Sequence, residues 1–350
     1  MGIARESHYV PCMYLKRFAD PEGNIFVYRL LVSQPWVKLW KRANISGVAY
    51  QRDLYTRCVF GTETDEIEKW LNQDFENPAE EALNKVESDA PLEATDWDVL
   101  VRFLASQIVR TPAFFIGMQP IWDKMMPAVL EKTMRDVKEK LQHAKDTGEP
   151  PPRAELPGTG NFPLRVHRED VPDEKSVKFT TETLMGRSLW IWSMKHMLTN
   201  TLKVLHEHQW SILHAGFGPK FFTSDDPVVR LNFYSASRYD FKGGWGSKGT
   251  EIFIPLTPRH LLYTKIGAWM LPRGIILSEG ETQKFRQMIA THAHRSIFAP
   301  GQESEIPKLR LRTVNAQMVE HEKEQWRRWH EEQTQAETKL MSDPPPSKRR

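Results

Sequence analysis

Phe221-Phe222-Thr223-Ser224-Asp225-Asp226-Pro227-Val228-Val229 marks the point where the chain changes character. Two apolar runs flank a short polar knot that a proline closes. The runs read as buried strand and Ser-Asp-Asp-Pro as a sharp turn at its end. Around this stretch lie further short runs rich in β-branched and aromatic residues, at 209–214, 228–232, 251–256 and 260–265. Turn signals separate them: Gly216, Gly218, Asp226-Pro227, residues 242–249 and Thr257-Pro258. Close, repeated spacing of this kind predicts an antiparallel sheet.

Upstream, the apolar period changes from two to about 3.6. Ile67, Trp70, Leu71 and Phe75 share a helical face within residues 62–88. Asn77-Pro78 restarts that helix with a cap and a first-turn proline. Residues 95–110 form the clearest helix, with Thr95 and Asp98 as its capping pair and Trp97, Leu100, Val101, Leu104 and Ile108 inward. Residues 119–145 predict a long amphipathic helix with Trp122, Met126, Val129, Val137 and Leu141 inward, and helix resumes from about 181 to 206. Between these, residues 146–161 hold three glycines and four prolines, an exposed loop. Strands are predicted near 25–30, 36–40 and 48–59, and helices at 281–298 and 314–341.

The expected fold is therefore α+β. C-terminal strands, joined by the N-terminal ones, build a largely antiparallel sheet packed against a central helical region at about 62–206. Residues 1–312 make one domain, 313–341 a charged helix carrying Trp326 and Trp329, and 342–350 a disordered tail.

Composition bounds the function. The chain has 350 residues, 40% apolar and 27% charged, with 48 basic against 45 acidic residues and a net charge of +3. That balance gives nucleic-acid binding no global electrostatic footprint, though a local patch is compatible with it. Two cysteines, Cys12 and Cys58, do not make a disulfide framework. No run reaches the roughly 20 apolar residues of a membrane span, and the N-terminus lacks a signal-peptide core. A cytoplasmic protein with no membrane partner is expected. The charged C-terminal helix is a candidate protein contact; the residues name no cofactor and no other partner.

The polar residues that stand out come from three separate segments. His8 precedes the first helical turn, where an imidazole suits a general base or a phosphate contact, or simply fixes the N-terminal segment. Asp225, next to a buried run, suits an orienter for His8 or a metal carboxylate, and equally an Asx-type turn. Gln107 and Arg110 lie three apart on one helix, an anion clamp or an internal salt bridge, Asp225 being one available partner. Ser224, Asp226 and Tyr14 complete the set as binding residues. The pairs His206-x-His208 and His292-x-His294 lack a third ligand nearby in sequence, so no metal ligands are assigned. The glycine-rich segment at 243–250 lacks the Gly-Lys-Ser/Thr ending of a phosphate loop and opens no helix.

Three motifs in order resemble one known family. They are His8-Tyr9-Val10-Pro11 with Tyr14-Leu15 and Phe18; Gln107 with Arg110-Thr111-Pro112; and Thr223-Ser224-Asp225-Asp226-Pro227 followed by Pro255-Leu256-Thr257-Pro258. Together they resemble the family catalogued as domain of unknown function 4238, over about residues 7–300. That family carries Asn where this chain has Asp226, which adds a possible charge here. The resemblance brings no catalytic role with it. Two functions are expected from the residues themselves. One is a hydrolase-like enzyme on a phosphorylated or nucleic-acid substrate, with His8 as base, Asp225 as its orienter and Arg110 with Gln107 holding the anion. The other is a non-catalytic binding or sensor module, of defence or accessory function, in which the same residues form a structural network.

Overall fold

The computed structural model describes residues 3–59, 61–149, 162–170, 177–235, 237–269 and 271–342. Most of the expected loop at 146–161, and the tail beyond Ser342, lie outside the described residues. The fold is α+β.

Its centre is a six-stranded sheet in the order Arg238–Asp240, Val229–Ser235, Glu251–Pro255, His260–Lys265, Ser211–Ala215, Ile276–Leu277. Every neighbouring pair is antiparallel except the last. Alternate residues point to opposite faces of a strand, and here both faces are covered. Ile212, Ile252, Ile254 and Leu262 enter one hydrophobic core, with the central helices. Leu213, Phe253, Leu261 and Tyr263 enter a second core. The helix Glu279–His292 covers that second face, with Phe285 set edge-on to Phe253 and Tyr263.

The N-terminal strands do meet C-terminal ones, but in a second sheet. Its order is Thr223–Ser224, Ser296–Ala299, Asn24–Arg29, Trp40–Asn44, all antiparallel. The strand Ser296–Ala299 falls inside the helix expected at 281–298. That helix stops at His292, because Ala293 turns to extended backbone (φ −47°, ψ 137°) and the apolar run Ile297-Phe298-Ala299 pairs with Tyr28, Val27 and Phe26.

The helical region also differs in detail. Residues 62–64 pair as a strand with Arg57–Val59, so the helix begins at Glu66. Glu93 and Asp96, not Thr95 and Asp98, form the capping box of the helix Ala94–Val109. Thr111 caps the next helix, Pro112–Thr147, and the two meet at 63°. Phe114, Phe115, Trp122 and Met126 of that long helix are buried. Val129 and Leu141, expected inward, are 38% and 39% exposed, and Leu130, next to Val129, packs against the core instead. Residues expected as loop or undefined before 181 include the hairpin Leu164–Asp170 with Val177–Thr183. Among the described residues, no single helix is long and apolar enough to cross a membrane.

The C-terminal helix, Ala316–Ser342, is docked on this body. Trp329 is buried among Phe115, Trp190 and Trp326. Further along, the buried Glu337 accepts two hydrogen bonds from the Arg187 guanidinium, at 3.0 and 2.7 Å, and others from Ser188 and the Cys58 amide.

Candidate active site

The three motifs converge, and hydroxyl and charged side chains tie them together. Tyr14, fully buried, donates its hydroxyl to the Pro255 carbonyl at 2.6 Å and shares a hydrogen bond with Thr223 Oγ1 at 2.7 Å. One side chain thereby joins the N-terminal segment to both C-terminal motifs. Thr111 Oγ1 caps its own helix at the Phe114 amide and donates to Asp226 Oδ1 at 3.1 Å. The other Asp226 oxygen lies 3.1 Å from His292 Nε2. Burial alone would raise the Asp226 carboxyl, but His292, Arg230 and His294 hold it below its ordinary value.

Arg110 is fully buried and reaches in a different direction. One guanidinium nitrogen is 2.5 Å from Glu76 Oε1, and another donates to the backbone carbonyl of His8. Its own carbonyl accepts the Tyr55 hydroxyl. The internal partner of Arg110 is therefore Glu76 rather than Asp225. Gln107 is buried one turn earlier; its amide donates to Ser106 Oγ, and its Oε1 has no partner. Nearby, burial raises the Glu68 carboxyl to about 7, against the pull of Arg110.

His8 meets Arg110 through its main chain only. Its ring turns outward, with Nε2 3.1 Å from the Ser46 carbonyl oxygen and Tyr50 beside it. Its neighbour Tyr9 is partly buried against the core, between the buried Ser7 and Val10.

Asp225 is buried at the end of the strand Thr223–Ser224. Its two oxygens accept the amides of His294 (3.0 Å) and Arg295 (2.8 Å), and its own amide donates to Ser296. Ser224 Oγ donates to the Asp226 carbonyl at 2.8 Å, closing the turn. The carboxylate thus continues the ladder between two strands where the backbone pairing stops.

Asp225 and His294 also line a cleft of about 210 Å3, with Tyr9, Arg295, Glu322 and Trp326. Burial pushes the Asp225 carboxyl up, opposed by His294 and the Arg295 amide. Burial pushes the His294 imidazole down, opposed by Asp225. For each group burial works against the charged form and the other group works for it. Burial, with Asp225 and Tyr55 nearby, raises the Tyr9 phenol, so it stays a neutral donor. Arg295 is clamped by both oxygens of Glu322. The pair, with Trp326, also borders a second hollow of about 410 Å3.

Of the residues singled out in the sequence, Asp225 lines this cleft. Tyr14, Ser224, Asp226 and Arg110 are engaged in internal ties outside its lining, Gln107 is buried and bonds only to Ser106, and the His8 ring points elsewhere. Tyr9, His294, Arg295 and Glu322 were not marked by the sequence. Tyr9 sits within the His-Tyr-Val-Pro motif, which was the one available signal; His294 was visible only as half of a His-x-His pair.

The structure is that of an α+β protein with a cleft lined by Asp225 and His294 at the junction of its sheets. Residues 7–303 match the family described as protein of unknown function (DUF4238), and the chain belongs to it. No curated protein and no solved structure matches the chain.

Proposed function

We propose that this chain is a hydrolase-like enzyme whose chemistry takes place in the cleft at Tyr9, Asp225 and His294. The observation that carries the reading is that a motif carboxyl and an imidazole border the same solvent-accessible cleft. Perturbed titratable pairs in a cleft are a recurrent mark of acid–base sites. A neutral imidazole at His294 is in the form that accepts a proton from an attacking water. The Tyr9 hydroxyl, kept neutral by burial, is a hydrogen-bond donor for a leaving group, and Asp225 holds the His294–Arg295 backbone through its two amides. Arg110, already neutralised by Glu76, positions the His8–Tyr9 backbone instead of holding substrate. The cation available to a phosphorylated or nucleic-acid substrate is Arg295, at the cleft wall, on exchange of Glu322 for a phosphate oxygen. We place the protein in the cytoplasm, where the free thiols Cys12 and Cys58 stay reduced.

The alternative is a binding or sensor module without catalysis. It is favoured by one observation: Tyr14, Arg110, Thr111 and Asp226 are all engaged in internal ties. The two readings part on a single assay series. Purified protein is incubated with p-nitrophenyl phosphate, bis-p-nitrophenyl phosphate and labelled RNA and DNA oligonucleotides. Turnover of one class that is lost in His294→Gln and in Arg295→Gln, with melting temperatures within about 2 °C of wild type, supports the enzyme. No turnover of any class, or turnover indifferent to His294→Gln, overturns it and leaves the module.

A further inference from the structure

A second cluster of polar side chains lies outside the cleft. His214 is on the strand Ser211–Ala215 and His260 on the strand His260–Lys265. They are directly opposite each other in the antiparallel register, with ring centroids 4.7 Å apart. Asp89, just past the helix Asn77–Glu87, reaches both rings from the helical region. Its Oδ1 is 2.9 Å from His260 Nε2 and 3.5 Å from His214 Nδ1. The three ligand atoms all lie within 4.8 Å of one another.

We propose that Asp89, His214 and His260 form a binding site for a divalent transition-metal ion, zinc in the first instance. Two imidazoles and one carboxylate are the donor set of three-ligand zinc sites, with ligand bonds of about 2.0–2.2 Å. Tetrahedral geometry at those bond lengths separates two ligand atoms by about 3.3 Å. The observed 2.9 and 3.5 Å bracket that value. The longer distance is poor for a hydrogen bond and suited to two ligands of one ion.

The surroundings fit the same assignment. Thr257 Oγ1 is 2.8 Å from His260 Nδ1, the ring nitrogen remote from Asp89. Without an ion, the threonine hydroxyl donates to Nδ1 and the Nε2–H group is held by Asp89. With an ion on Nε2, the ring proton moves to Nδ1, where it shares the threonine oxygen with the Arg259 and His260 amides that already bond to it. Arg259 is the neighbouring cation, and the Asp89 carboxylate offsets its repulsion. The Asp89 side chain is 50% exposed, so an ion has an entry path and water can fill the fourth position. Asp89 has a φ of +56°, a left-handed backbone in which Asp and Asn are the tolerated non-glycine residues. Asp89→Asn therefore keeps the backbone and removes the charged ligand.

The site joins the helical region to the central sheet, and none of its residues lines the cleft. The test is zinc titration of chelator-treated full-length protein by calorimetry, with cobalt substitution read by visible absorption. One ion per chain is expected, with a tetrahedral cobalt spectrum. Asp89→Asn and His214→Asn should each weaken zinc binding by roughly 100-fold or more, while circular dichroism shows both variants folded. His206→Asn, on a histidine outside the trio, should bind as wild type does. Absence of stoichiometric zinc in the wild type overturns the assignment, as does zinc affinity unchanged in both ligand variants. A folding failure of His214→Asn leaves Asp89→Asn to decide between the same two outcomes.

Discussion

Replacing Arg110 with methionine tests whether the motif cluster is tied as described. Methionine roughly fills the space of the stem and removes the charge. Arg110 has no exposed surface, and Glu76 is only 9% exposed. The substitution leaves the Glu76 carboxylate buried without its partner and the His8 carbonyl without its donor. Removing one member of a buried pair costs about 3–5 kcal/mol, chiefly from the charge left behind. With an unfolding entropy of about 2.1 cal/mol/K per residue over 350 residues, that loss lowers Tm by about 4–7 °C. The Glu68 carboxyl, at about 7 with Arg110 present, should rise further. The assay is urea unfolding followed by tryptophan fluorescence, repeated for Glu76→Gln and for the double variant. The double variant should recover at least about 2 kcal/mol of the summed losses, because it leaves no unpaired charge. A loss below about 1 kcal/mol for Arg110→Met, the size of a surface pair, would show that Arg110 does not hold the His8–Tyr9 segment.

Other perturbations read neighbouring parts of the structure. Glu68 titrates near 7 when folded against an ordinary 4.5, so the folded state binds more protons between those values. Stability should therefore fall as pH rises from about 4.5 to 7, and Glu68→Gln should remove that slope and gain on the order of 2 kcal/mol at pH 8; a slope unchanged in the variant refutes the assignment. Tyr14→Phe strips the shared hydroxyl from Thr223 and Pro255 and should cost about 1–3 kcal/mol by urea titration, whereas an unchanged midpoint would mean the tie is not formed. Glu337→Gln should free the end of the C-terminal helix from Arg187, seen as faster amide exchange over residues 330–342; equal exchange in both proteins would count against the docked helix.

The central sheet was legible because its strands obey a simple rule. Ile252-Phe253-Ile254 and Leu261-Leu262 are continuous apolar runs between turn signals, and a sheet buried on both faces needs that pattern. The hairpin from Leu164 was not legible, since Leu-Arg-Val-His-Arg-Glu-Asp carries too little apolar alternation to mark a strand. Asp225 could be singled out because a charge beside a buried run demands a partner. Which partner was another matter. Its oxygens went to the amides of His294 and Arg295, and those amides became available only because the helix ends at His292. Arg110 likewise announced an ion pair, but no local spacing rule selects Glu76 from among many acids. His8 and Tyr9 stand side by side in one motif, and nothing in its spacing tells that Tyr9 lines the cleft while the His8 ring lies against Ser46 and Tyr50.

The pairing of Asn24–Arg29 with Ser296–Ala299 has a consequence for how the protein is made. Tyr28 lies opposite Ile297, a residue translated roughly 270 positions later. At about 5–20 residues per second, the ribosome takes roughly 15–55 s to deliver that partner. Through this interval the apolar strand Ile-Phe-Val-Tyr has one edge without its mate. Asp225 waits for its two amides over a shorter stretch. Truncating synthesis before residue 299 should therefore yield aggregates instead of a smaller folded protein, read by sedimentation of the truncated product.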